Sequence, residues 1–66
     1  MTTPAAFIKS ARQEMGLTQE AMAALLKCGK HGDRTIRRYE NAERTPSDAL
    51  LELVRMKLEQ FRARRR

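Results

Sequence analysis

Asp33-Arg-Thr-Ile-Arg-Arg-Tyr-Glu-Asn41 is the stretch on which the fold turns. If residues 34–40 form one helix, Ile36 and Tyr39 share a face that can be buried, and Arg34, Arg37 and Arg38 project from the other side. An alanine-rich run and a glycine-containing turn precede it. Asn41-Ala-Glu-Arg-Thr-Pro46 follows and breaks the helical pattern.

Upstream, Thr3-Pro4 suits a helix start, with Thr3 as cap and Pro4 at the first helical position. Phe7, Ile8, Ala11 and Met15 recur at helical spacing, and Gly16 is placed to end that helix in the left-handed region. Thr18 caps a second helix, with Glu20 in its first turn and Ala21 to Leu26 as its body. Lys27-Cys-Gly-Lys-His-Gly32 is the turn, in which Gly29 and Gly32 can take positive φ; Asp33 or Gly32 caps the third helix. Downstream, Ser47 caps a fourth helix expected to run to about residue 61, with Leu50, Val54, Leu58 and Phe61 on one stripe. No stretch alternates as a strand does. The expectation is an all-α, compact bundle of four to five short helices, one domain over 1–61, followed by a frayed basic tail at 62–66.

The formal net charge is +6, unevenly placed. Residues 1–33 carry four Lys/Arg against three Asp/Glu, and residues 34–66 carry ten against five. Such a chain is drawn to polyanions before any specific contact forms. A two-turn helix with an apolar back and an arginine front suits the major groove of double-stranded DNA. Aromatic residues that could stack on single-stranded bases are scarce, because Phe7 and Tyr39 read as core, which weakens an RNA reading. The arginines are not gathered on one long amphipathic face, which weakens a membrane-surface reading.

Catalysis finds little support. No Cys/His pair has a third partner, no paired carboxylates fall in a plausible cleft, and Gly29-Lys30-His31-Gly32 lacks the spacing and the Ser/Thr of a phosphate loop. His31 has no second ligand at metal-binding spacing, so neither metal nor cofactor is expected, and no small-molecule ligand. Cys28 reads as a semi-buried small apolar residue and cannot form an internal disulfide. No run approaches the length of a membrane span and no signal peptide is evident, which points to the cytoplasm.

The order of features from Ile8 to Leu58 resembles the helix-turn-helix domain of the lambdoid phage repressor and Cro-like (XRE) family. The matching pieces are Arg12-x-x-x-Gly16-Leu17-Thr18-Gln19-Glu20, Ala23-x-x-Leu26, Ile36-x-x-Tyr39-Glu40-Asn41 and Pro46-Ser47. The resemblance implies that Arg12 and Glu40 form a structural ion pair. Gln19 would touch a phosphate or steady the reading helix. Asp33, Arg34, Arg37 and Arg38 would face the bases, and Asn41 and Arg44 would meet the backbone, with Thr18 beside Gln19. Apart from the resemblance, Lys27 and Lys30 in the long turn read either as backbone contacts flanking the groove or as part of a hydrated loop. Three departures stand out. Small polar residues often preface the family's reading helix, and this chain puts arginines there. Ala23 and Ile36 lie farther apart than the family usually places them, so extra residues fall in the turn within 27–33. The family's frequent glycine after Glu-Asn is Ala42.

The fourth helix carries more large apolar residues than one face can bury. An exposed strip of Leu51, Met56, Leu58 and Phe61 is therefore expected, covered by a second copy. The resemblance then implies a sequence-specific DNA-binding transcriptional regulator, a repressor acting as a homodimer on an inverted repeat, of the kind phages and mobile elements use on their own operons, anti-CRISPR operons included. The alternative is an antitoxin-like or bridging interaction module that binds DNA secondarily.

Overall fold

The computed structural model describes residues 3–65. Four helices follow in order: α1 (Pro4–Glu14), α2 (Gln19–Leu25), α3 (Gly32–Glu40) and α4 (Asp48–Arg64), with no strand among the described residues. Three of them start on a hydroxyl cap. Thr3 Oγ1 accepts from the Ala6 amide, Thr18 Oγ1 from Ala21 and Ser47 Oγ from Leu50, at 3.2, 3.0 and 3.1 Å. The third helix is the exception. His31 stands at its cap position with no side-chain hydrogen bond, and neither Asp33 nor Gly32 is the cap. The lengthened turn brings Gly32 into the helix itself, so Asp33 lies in the first turn, where the helix dipole favours its charge.

The first three helices end alike. In each, the residue after the cap is left-handed, its amide bonds back three residues, and the next amide bonds back five. Gly16 (φ 68°) and Leu17 reach Gln13 and Arg12; Lys27 (φ 54°) and Cys28 reach Ala24 and Ala23; Ala42 (φ 60°) and Glu43 reach Tyr39 and Arg38. Only the first of these positions is a glycine. Within the second turn Gly29 has positive φ and Gly32 does not. Gly32 serves a different purpose: a Cβ there would lie 2.7 Å from that of Ala23 and 2.9 Å from that of Cys28. Its bareness lets α3 seat directly on α2.

The core is Ile8, Ala11, Met22, Ala23, Leu26, Ile36, Val54 and Leu58. Ile8, Met22, Ile36 and Val54 are wholly buried and come one from each helix, so the four elements meet at one point. Helix α3 packs on α2 and α1, and α4 packs chiefly on α1.

The end of the chain differs from expectation. Helix α4 runs past residue 61 to Arg64, and Arg65 caps it, so residues 62–65 are ordered helix end and not a frayed tail; Arg66 lies outside the described residues. The extension is held by Arg62, whose Nε and Nη2 donate to the two carboxylate oxygens of Glu14 on α1 at 2.6 and 2.8 Å. The fourth helix is thus long, and no fifth follows it among the described residues.

Candidate nucleic-acid interface

At 100° per residue, Arg34, Arg38 and Asn41 line up along the side of α3 opposite Ile36, with Arg37 beside them. All four are exposed, while Ile36 is wholly buried and Tyr39 half-buried. Among the described residues none of these three arginines is in an ion pair, although three other arginines of the chain are. Each guanidinium therefore keeps its donors free for an outside acceptor, and its planar fork fits phosphate oxygens or the O6/N7 edge of guanine. Asp33 is exposed too and lies on the flank of this face toward Ile36, one turn before Arg37 and away from Arg34 and Arg38.

The helix is held from behind by a polar clamp. Arg12 Nε donates to Glu40 Oε2 at 2.7 Å and Nη2 to Oε1 at 3.0 Å; its remaining nitrogen, Nη1, donates to the Leu17 carbonyl at 3.0 Å. The Glu40 side chain is 4% exposed and that of Arg12 17%. The hydrogen bonds that Arg12 donates to Glu40, and the charge of that carboxylate, raise the pKa of Arg12 above its ordinary value against the opposing effect of burial. Gln19 Nε2 donates to Glu40 Oε1 at a long 3.5 Å. One carboxylate thus gathers α1, the start of α2 and the end of α3.

The remaining expected residues fall in three places. Thr18 caps α2 and Gln19 follows it, both reaching the surface. Lys27 and Lys30 are exposed in the α2–α3 turn, at the N-terminal end of α3; Lys30 borders a shallow depression with Glu20, Gly32 and Asp33. Arg44 is exposed in the loop after α3, beside Tyr39 and the buried Pro46. The cations of the two loops therefore flank the arginine face at opposite ends, and the expected groups come together around one helix. Cys28 is half-buried, and burial pushes its thiol pKa up, which disfavours the thiolate.

The expected strip on α4 does not form. Leu58 is 6% exposed, inside the chain's own core, because it lies on the same face as Val54. Leu51 and Phe61 are half-buried on opposite flanks of that face, and Met56, 48% exposed, points the other way. What sequence reasoning missed is a groove on the Phe61 flank, which Met15, Leu17 and Leu25 complete from other elements. No periodicity within one helix announces a surface that three segments share.

Among the described residues no helix is long and apolar enough to cross a membrane, and no group of three His, Cys, Asp or Glu could hold a metal ion.

Comparison with known proteins agrees with this geometry. The family described as Helix-turn-helix matches residues 8–58. Type II methyltransferase M.SsoII of Shigella sonnei is 46% identical over 50 residues, which cover 76% of this chain and 13% of that protein. Type II methyltransferase M1.ScrFI of Lactococcus lactis subsp. cremoris is 48% identical over 40 residues, which cover 61% of this chain and 10% of that protein. The chain thus spans only a small fraction of the length of these relatives. No solved structure matches it significantly.

Proposed function

The chain belongs to the helix-turn-helix family, and we propose that it is a sequence-specific double-stranded DNA-binding regulator, acting as a repressor by occupying its site. The observation that carries this reading is the exposed arginine face of α3, unpaired within the described residues and braced from behind by Arg12–Glu40. Arg34, Arg37 and Arg38 enter the major groove and read bases, with Asp33 at the margin. Lys27, Lys30, Asn41 and Arg44 hold phosphates on either side, with Thr18 and Gln19 at the start of α2. Two copies bind an inverted repeat with half-sites about one helical turn apart. They meet through the outer side of α4 around Met56, the one large apolar side chain left well exposed there.

The relatives favour a second reading. In it the same unit grips the duplex for a type II methyltransferase whose catalytic part lies elsewhere, and this chain contributes binding and no chemistry. In both readings α3 does the same work.

Selection of bound fragments from a random DNA pool tests the proposal. A palindromic consensus is the expected result. A non-palindromic consensus would remove the symmetric dimer, and a pool that never enriches would remove sequence reading altogether.

A further inference from the structure

An open groove of about 560 Å³ runs between α2 and the last turns of α4. Met15, Leu17, Leu25 and Phe61 supply its apolar walls; the first three pack on the core at one side and are open at the other, and Phe61 is half-buried. Ala21 and Ala24 keep its α2 side low, so a helix backbone can approach closely. Lys57 and Arg64 stand on its α4 edge, in register with Phe61 at i, i+4, i+7, and among the described residues no carboxylate lines it. Arg65 adds a third cation, its guanidinium carbon 5.6 Å from the centre of the Phe61 ring. On the same helix Arg55 and Arg62 are paired with Glu52 and Glu14, whereas Lys57, Arg64 and Arg65 have no ion-pair partner among the described residues.

We propose that this groove binds an amphipathic, acidic helix of a partner protein. Apolar anchors at i, i+4 and i+7 of that helix seat against Leu17, Leu25 and Phe61, and Asp or Glu beside them meet Lys57, Arg64 and Arg65. The sign of the rim selects this occupant. A second copy seated on the same groove would bring a second set of these cations into one interface, whereas an acidic partner turns the same charges into attraction. The groove draws on the α1–α2 turn, α2 and α4 and on none of the α3 arginines. The chain can therefore carry a partner and a duplex at once, and the proposal stands whether or not α3 reads DNA.

The test is a displayed library of helical peptides, with Leu or Phe fixed at i, i+4 and i+7 and all other positions random, selected on the whole chain. Enriched peptides should be acidic beside the anchors, bind one per chain, and shift the amide signals of Leu17, Leu25 and Phe61 in ¹⁵N–¹H spectra. The double variant Lys57→Glu/Arg64→Glu should bind them about tenfold more weakly or worse with its helical circular dichroism unchanged. Ala24→Trp, which fills the groove from an exposed position, should abolish binding. Basic or uncharged winners, or affinity indifferent to the charge reversal, would overturn the proposal. So would light scattering that shows the free chain to be a dimer which Ala24→Trp dissociates, since the groove would then be the chain's own interface.

Discussion

Arg12 and Glu40, twenty-eight residues apart, meet fork to fork, with two nitrogens of one on two oxygens of the other at 2.7 and 3.0 Å. The contact ties the first helix to the far end of the third and fixes the direction in which the arginine face looks. Because the Glu40 side chain is almost fully buried, removing its partner strands a charge away from water. Arg12→Ala is expected to cost about 3–5 kcal/mol, a large part of the stability of a domain this small. Urea denaturation followed by circular dichroism measures it. A loss below about 1 kcal/mol would mean that the pair is no more than a surface contact.

Two backbone positions make opposite predictions for changes of one methyl group. Ala42 holds φ 60°, where its Cβ is crowded and glycine is at ease. Ala42→Gly should stabilise the chain by roughly 0.5–1 kcal/mol, the relief of that strain less the entropy glycine loses. Gly32→Ala should destabilise it by about 1–3 kcal/mol, because the new methyl would press on the side chains of Ala23 and Cys28 and lift α3 from α2. Thermal denaturation of the two variants beside the parent checks both signs.

The Glu14–Arg62 pair gives a pH dependence. Its hydrogen bonds from Arg62 hold the Glu14 carboxyl below the usual glutamate range. A carboxylate depressed in the folded state stabilises the fold above its unfolded pKa of about 4.3, and that contribution fades as pH falls through the lower folded value. Glu14→Gln should therefore lower the melting temperature at neutral pH and leave it nearly unchanged at the acid end. An equal difference at both ends would mean that the pair's charge plays no part. Both partners are at the surface, so the effect is small and should shrink further in salt.

Much of the fold was legible before the structure, because the signals involved are local. Thr3, Thr18 and Ser47 are caps by residue type, Gly16 is a terminator by residue type, and the faces of α1 and α3 follow from spacing alone. The Arg12–Glu40 pair came from resemblance, since nothing local joins residues so far apart. What was missed depended on contacts between elements. Leu58 looked surplus because a sequence shows how many apolar residues a helix carries but not how deeply the bundle takes them in. The last turn of α4 looked frayed because its anchor, Glu14, is on another helix. Left-handed Lys27 and Ala42 carry no glycine to mark them.

Arg44 stands in the loop that follows α3, exposed and outside any ion pair among the described residues. If it holds a phosphate, Arg44→Ala weakens binding to every duplex alike and lowers the slope of log affinity against log salt by about one unit. Titrations at several salt concentrations measure that slope. An unchanged slope would take Arg44 out of the backbone contacts.

The direct test of base reading by α3 is the ratio of affinities for the selected consensus and a scrambled duplex of the same length and salt, for the parent chain and for Arg34→Ala and Arg37→Ala. Both side chains are exposed, so circular dichroism should be unaltered. The expected result is a ratio lower by about 5- to 150-fold in each variant, equivalent to roughly 1–3 kcal/mol of lost discrimination at one base position. If both variants keep the parent's ratio while binding all duplexes more weakly, these arginines hold only the backbone, and α3 does not read sequence through them.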